Sequence, residues 1–182
     1  MTAFDRFETA IDRSAYVRWP GGGGFQPVTL RVNGVDLLDL IRRVELPFAE
    51  AEFDRRIREG ESPGELAPRG SLAGQYLYLS PGMTFQPSRN FLGEAYAHGF
   101  VAPREKSILL QCTCGITDCW FLLTRITVED DRVTWSDFEQ FHRDWRYDLG
   151  PFVFERAAYE HQLAPSHGNG SLGSDTSQKP MA

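Results

Sequence analysis

The sequence has no long hydrophobic run. Its longest apolar stretch, CWFLLTRITV at 119–128, is interrupted by Arg125 and is far shorter than the roughly 20 residues that a membrane-spanning helix needs. The first residues, MTAFDRFETA, contain two acidic residues and lack the apolar core of a secretory signal. We therefore predict neither a membrane span nor a secretory signal, and we expect a cytoplasmic protein.

Positive charge and cysteine are also scarce. The chain has 19 basic and 25 acidic residues, a formal charge of −6 and a sequence pI of about 5.2. Binding to nucleic acid or to an anionic membrane depends on a basic face, so we predict no partner of either class. Three cysteines are an odd number, which does not fit the disulfide framework of a small secreted protein.

What remains is the composition of an ordinary globular domain. The chain has 182 residues, of which 41% are hydrophobic, enough for one domain with a real core. We predict a single domain over residues 1–164. Residues 165–182, PSHGNGSLGSDTSQKPMA, contain few side chains that could bury surface, so they are predicted to be a disordered tail.

Period-two hydrophobic patterns predict an antiparallel meander in the C-terminal half. Its strands would be KSILLQCTC at 106–114, CWFLLTRITV at 119–128 and RVTW at 132–135, and QYLYLS at 75–80 adds a further strand. The predicted fold class is α+β, an antiparallel sheet that contains this meander and is packed by a few short helices.

Four helices are predicted from capping and periodicity. The first begins after Asp36, and the second runs from Pro47, a residue suited to a first helical position, to Gly60. A third opens at Ser136 with the capping box SDFE, and an amphipathic helix occupies FVFERAAYEHQL at 152–163.

Two stretches resist assignment. Residues 60–104 are rich in Gly, Pro and Ser, which suits either a lid or partner-binding loop or an unrecognised helix near 90–97. WPGGGGFQP at 19–27 lacks the Lys and Ser/Thr that follow the glycines of a phosphate-binding loop, so we interpret it as a plain loop.

All three cysteines lie in QCTCGITDCW at 111–120. A structural zinc site needs four ligands, and the candidate set is Cys112, Cys114, Cys119 and His142, with His98 or Asp118 as other fourth ligands. Two cysteines only two residues apart on a strand would need a bulge to reach one ion, which Gly115 could supply.

Two other interpretations compete with zinc. Cys114 and Cys119 would face each other across the hairpin, with Phe121 opposite Cys112, so a redox pair is one alternative. The interpretation that we favour is packing, because cysteine is among the most buried residue types and behaves as a small apolar side chain.

FHRDWRYDLGPF at 141–152 combines residue types that anchor protein interfaces. We name Arg143, Trp145, Arg146 and Tyr147 as candidate interaction residues. No nucleophile elbow is present, and no catalytic residue is predicted.

The segments CTCGITDCW, VTWSDFEQFHR and GPFVFERAAY resemble a family of uncharacterised bacterial proteins with a CxCG…CW, VxWxxF…HR and GPFxF signature. The resemblance covers residues 26–160. It implies a bacterial intracellular protein and implies no activity. Members more often carry glycine at the position of Asp118, which the resemblance therefore disfavours as an essential ligand.

The leading functional hypothesis is a non-enzymatic cytoplasmic binding or accessory protein with a protein partner, of an immunity-like kind given its size and acidity. The alternative is a small metal-binding or thiol-dependent protein that uses Cys112, Cys114 and Cys119. No cofactor is predicted apart from the zinc ion of that alternative; an iron–sulfur cluster generally needs four cysteines, and the chain has three.

Overall fold

The computed structural model describes residues 3–19, 21–97, 99–113 and 119–165, with the side chain of Phe100 left out. These residues form an α+β fold, as predicted. The strands are β1 Phe7–Ile11, β2 Val17–Arg18, β3 Gly24–Phe25, β4 Val28–Val32, β5 Val35–Asp36, β6 Tyr76–Tyr78, β7 Ser107–Cys112, β8 Phe121–Val128, β9 Arg132–Gln140 and β10 Phe152–Glu155. The α-helices are α1 Leu37–Arg58, α2 Pro81–Thr84 and α3 Arg156–Gln162.

The larger sheet has five antiparallel strands in the order β10-β9-β8-β7-β6. Its centre, β7-β8-β9, is the predicted meander, which is confirmed. A second sheet has the order β1-β4-β5, and β2 and β3 pair only with each other among the described residues. No helix in the described ranges has the length and apolarity to cross a membrane.

The core joins the two larger sheets. Phe7 of β1 lies with its ring centroid 4.7 Å from that of Tyr159 and 5.2 Å from that of Trp135. The indole N–H of Trp135 donates to the hydroxyl of Tyr159 at 3.0 Å, and that hydroxyl donates to the carbonyl of Phe91 at 2.8 Å. Burying these polar tips is tolerable because each has a partner.

The prediction of two helices divided at Pro47 is wrong, because α1 is one helix. The capping role of Asp36 is confirmed, since its carboxylate accepts the N–H of Leu38 at 3.0 Å, but the helix then continues through Pro47 to Arg58. The buried positions recur at every fourth residue on both sides of the proline: Leu37, Ile41, Glu45 and Ala49. A continuous buried stripe outweighs the one backbone hydrogen bond that the proline removes.

The capping-box prediction at Ser136 is wrong. Residues 132–140 form β9, in which Val133, Trp135 and Phe138 are buried and the chain pairs with β8 on one side and β10 on the other. The register shifts between Leu123 and Arg125, and Asp137 has φ of 54°, so a bulge restores the inward direction of Phe138. Pairing on both edges overrides the local capping signal.

The terminal helix is shorter than predicted. Residues 152–155 are strand β10, and α3 begins only at Arg156. The side chain of Glu155 accepts the N–H groups of Ala157 and Ala158, so this residue caps the helix after completing the strand.

The segment 60–104 contains β6, α2 and two short 3₁₀ turns, Asn90–Leu92 and Gly99–Arg104. The helix considered near 90–97 is thus reduced to the first of these turns. The predicted tail, 165–182, lies outside the described residues except for Pro165.

Candidate functional site

The segment 141–150 follows β9 and alternates in burial without forming a strand. Arg143, Trp145 and Tyr147 are half-buried, whereas Arg146 is exposed. Trp145 stacks on Phe48 of α1, with ring centroids 6.2 Å apart. Three of the four predicted interaction residues therefore face the helix, and their use by a partner stays a prediction.

Arg143 is held between two indoles. Its guanidinium carbon lies 4.5 Å from the ring centroid of Trp120 and 4.5 Å from that of Trp145, within the range of a cation–π contact. The same guanidinium is paired with Glu52 of α1, and the side chains of the pair are 14% and 20% exposed. Such partial desolvation strengthens the ion pair relative to an exposed one.

Glu45 is the most enclosed carboxylate in this region, at 1% exposure. Its Oε1 accepts the hydroxyls of Tyr76 at 2.6 Å and Tyr147 at 2.5 Å, and its Oε2 accepts the N–H of Gly74 at 2.7 Å. Burial raises the pKa of Glu45 above its ordinary value, against the opposing effect of these hydrogen bonds and of Arg143. The carboxylate ties 141–150 and the start of β6 to α1.

The cysteine hairpin is described only in part. Cys112 is buried at the end of β7, opposite Tyr76 of β6, and Cys119 is half-buried, while Cys114 lies outside the described residues. The predicted register is wrong by one residue, because Phe121 pairs with Gln111 rather than Cys112 after a shift between Ile108 and Leu110.

The candidate zinc ligands are not assembled by the part of the chain that is described. His142 is exposed, with its ring 4.3 Å from that of Phe141, and Cys114, Asp118 and His98 fall in the undescribed positions. Within the described ranges, no three His, Cys, Asp or Glu side chains converge on a point that could hold a metal. The zinc set stays a prediction.

Sequence reasoning missed another exposed surface, the β2–β3 hairpin. Tyr16 is 58% exposed and Trp19 39% exposed, and the Trp19 ring lies 4.9 Å from that of Phe25. Arg13 and Arg18 are exposed beside them. We call residues 13–25 the aromatic hairpin; its description leaves out Pro20.

The aromatic hairpin is a defined turn. The N–H of Trp19 donates to the carbonyl of Gly23 at 3.2 Å, and the N–H of Gly22 donates back to the carbonyl of Trp19 at 3.2 Å. At Gly24 a Cβ atom would lie 2.1 Å from the carbonyl oxygen of Val17, so only glycine fits there. The signal in the sequence was the aromatic residues on both sides of the glycine run.

The base of the aromatic hairpin is fixed by Asp12. Its N–H donates to the carbonyl of Pro27 at 2.8 Å, and its carboxylate accepts the N–H and the hydroxyl of Ser14 at 2.9 and 2.6 Å. Those hydrogen bonds hold the pKa of Asp12 below its usual range. The lowered pKa keeps Asp12 ionised, so the base of the hairpin holds one carboxylate, and the exposed Arg13 and Arg18 add two positive charges.

No protein-family model, curated protein or solved structure matches this chain.

Proposed function

We propose that this chain is a non-enzymatic binding or accessory protein that contacts another protein through the aromatic hairpin. The observation that carries the proposal is the exposure of Tyr16 and Trp19 beside Arg13 and Arg18 on one well-formed turn. Tyr, Trp and Arg are the residue types most enriched among the side chains that dominate protein-binding energy. Exposing two large aromatic rings to water has a cost that a partner would remove.

The polar groups around Arg143 support a structural role rather than a catalytic one. The carboxylate of Glu45 accepts three hydrogen bonds and is buried, and that of Glu52 is paired with Arg143. A general acid or base must reach a substrate proton, either directly or through one water. These carboxylates are occupied by donors of the chain itself instead, and through Tyr147 and Arg143 they fix the segment 141–150 on α1.

The proposed setting is the bacterial cytoplasm, and an immunity-like role is its most specific form. Support comes from the acidity of the chain, the odd number of cysteines and the resemblance of its C-terminal segments. The immunity-like form would hold if the bound protein is a toxic enzyme whose activity this chain inhibits.

The test uses a photo-cross-linking amino acid in place of Tyr16, with the same amino acid in place of Leu46 as the matched control. Leu46 is also exposed, at 41%, but lies on α1. A protein that cross-links only through position 16 is then purified and mixed with the wild-type chain and with Trp19→Ala and Leu46→Ala variants.

We expect Trp19→Ala to weaken the purified complex by at least about tenfold, as for a central aromatic anchor, while Leu46→Ala binds like wild type. Circular dichroism and the unfolding midpoint should be the same for all three chains. Equal affinity of the wild-type chain and Trp19→Ala would overturn the proposal.

The alternative, a metal-binding or thiol-dependent protein, has its own test. Elemental analysis of protein purified without chelator, together with a thiol count before and after unfolding, decides it. About one zinc per chain with thiols protected until chelator is added would favour the set Cys112, Cys114, Cys119 and His142.

A further inference from the structure

We propose that residues 61–72 form a strap that lifts off α1 as a local unit while the rest of the fold stays closed, and that ionic strength controls this opening through the ion pairs of Arg69. The strap lies between the end of α1 and the start of β6. Lifting it exposes an apolar part of α1 to solvent. The inference goes beyond the proposed function, because the contacts that hold the strap involve α1 and not the aromatic hairpin.

Arg69 joins the strap to two carboxylates of α1. Its guanidinium donates to both oxygens of Asp54 at 2.9 Å and lies 2.7 Å from Oε1 of Glu50. Glu50 and Asp54 are about one helical turn apart, where two negative charges repel each other. The arginine therefore holds the strap on α1 and also relieves a repulsion within the helix.

The ion pairs of the strap are open to water. The side chains of Arg69, Glu50 and Asp54 are 47%, 36% and 46% exposed. A second pair, Arg56 with Glu61 at 2.6 Å, is 39% and 40% exposed. Ion pairs with this much exposure contribute little to stability, and salt screens them. The strap is therefore attached by contacts that a rise in ionic strength weakens.

The apolar underside of the strap packs incompletely on α1. Its two leucines, Leu66 and Leu72, are half-buried. A hollow of about 40 Å³ lies between them and the side chains of Ala49 and Phe53 on α1. The side chains around such a void lack contacts that they would make in a close-packed core. Apolar packing therefore holds the strap less firmly than it holds the core.

The closed strap also leaves one polar group without a partner. The hydroxyl oxygen of Ser71 is buried and has no hydrogen-bond partner among the described residues. A buried hydroxyl without a partner has lost its hydrogen bonds to water and has not replaced them. Water can bind this hydroxyl once the strap lifts, so opening recovers part of that cost.

The ends of the strap are fixed differently, and together they confine the movement to residues 61–72. On the C-terminal side, Ala73 is 1% exposed, and the N–H of Gly74 donates to the buried carboxylate of Glu45 at 2.7 Å. On the N-terminal side, Gly60 has φ of 98°, and a Cβ atom there would meet no described atom within 4 Å, so the chain has room to pivot. Opening a segment that is held in this way needs less free energy than unfolding the whole chain.

Native-state proteolysis with thermolysin tests the proposal. The enzyme cleaves before large apolar residues, so it can cut at Leu66 and Leu72, and mass spectrometry identifies the sites. When opening is fast, the cutting rate follows the population of the open form. A synthetic peptide of residues 58–76, cut in the same buffers, corrects for the effect of salt on the protease. Between about 20 mM and about 500 mM sodium chloride, corrected cutting of the strap should rise about three- to tenfold, and it should precede cutting within β8.

Arg69→Gln should raise the corrected cutting rate at low salt at least about fivefold and should remove most of its salt dependence, because the variant lacks the charge that salt screens. The matched control is Arg43→Gln, at an exposed arginine of α1, which should be cut like wild type. A double variant with reversed charges, Asp54→Arg with Arg69→Glu, should be cut more slowly than either of its single variants. Such rescue distinguishes attraction between the two charges from a general loss of stability.

Four results would overturn the inference: strap cutting no faster than cutting within β8, corrected cutting that does not change with salt, Arg69→Gln cut at the wild-type rate, or no rescue by the reversed pair. None of these bears on the proposed function, which falls only if a purified, hairpin-linked partner binds Trp19→Ala as well as wild type.

Discussion

Glu45 shows how one side chain can link three parts of the chain at an energetic cost. Its carboxylate is buried, accepts hydrogen bonds from Gly74, Tyr76 and Tyr147, and has a pKa raised by burial. A raised pKa means that the folded chain binds the proton more readily than the unfolded chain does. The glutamate is therefore better tolerated when protonated.

We expect Glu45→Gln to remove a pH dependence from the free energy of unfolding. In the wild-type chain this group makes the free energy fall as pH rises from the ordinary glutamate pKa of 4.5 to the raised folded value, above which its effect is constant. Urea unfolding at a series of pH values should show the difference, wild type minus variant, decreasing across that window.

The matched control for Glu45 is Glu65→Gln, at an exposed glutamate, which should change the free energy of unfolding by less than about 0.5 kcal/mol. A wild-type-minus-Glu45→Gln difference that grows with pH would mean that the three hydrogen bonds and Arg143 outweigh burial.

At the same scale, the residue types of the segment 141–150 predicted that its side chains make contacts, but not which residues they contact. Arg143, Trp145 and Tyr147 were singled out as interface types, yet they contact Glu52, Phe48 and Glu45 of one helix. Those contacts span 91 to 102 residues of sequence, and no local pattern encodes such pairings.

At the scale of elements, α1 continues through an internal proline, Pro47, that would ordinarily end or kink a helix. Pro47 is exposed in the middle of Leu37–Arg58, where its ring removes the hydrogen bond to the carbonyl of Arg43. We expect Pro47→Ala to raise the free energy of unfolding by about 1–3 kcal/mol, because alanine restores that donor and removes the steric conflict.

Denaturant unfolding of the Pro47→Ala variant measures the gain. Arg43→Ala, at another exposed position of the same helix, is the control and should change stability by less than about 0.5 kcal/mol. A loss of stability in Pro47→Ala would show that α1 needs the geometry that the proline imposes.

Sequence reasoning found the elements whose signal is local, and it missed those that depend on pairing between strands. The meander was readable because its strands contain short, local apolar runs: β7 is buried at every position and β8 over its first four residues. The SDFE box at Ser136 was misleading, because a helix start and the solvent-facing positions of a bulged strand use the same residue types. Pairing with β8 and β10 decided between them.

At the scale of the whole molecule, the prediction of one domain over 1–164 depends on β1. Asp5 joins the larger sheet through a bridge to Phe154, while residues 7–11 pair with β4 in the smaller sheet. Fold class could be predicted from composition and periodicity, but this joint between the sheets could not, since the bridge from Asp5 reaches chain that lies more than a hundred positions away.

Phe7→Ala tests whether the two larger sheets unfold together. Phe7 is 5% exposed and its ring contacts those of Trp135, Phe154 and Tyr159, so its truncation should cost about 3–5 kcal/mol. If the sheets form one cooperative unit, tryptophan fluorescence and far-UV circular dichroism shift to the same lower midpoint and their transitions stay coincident. Phe4→Ala, at a half-exposed ring on the same segment, should shift neither probe by more than a fraction of that amount. Two separated transitions, with only one of them moved by Phe7→Ala, would divide residues 1–164 into two domains.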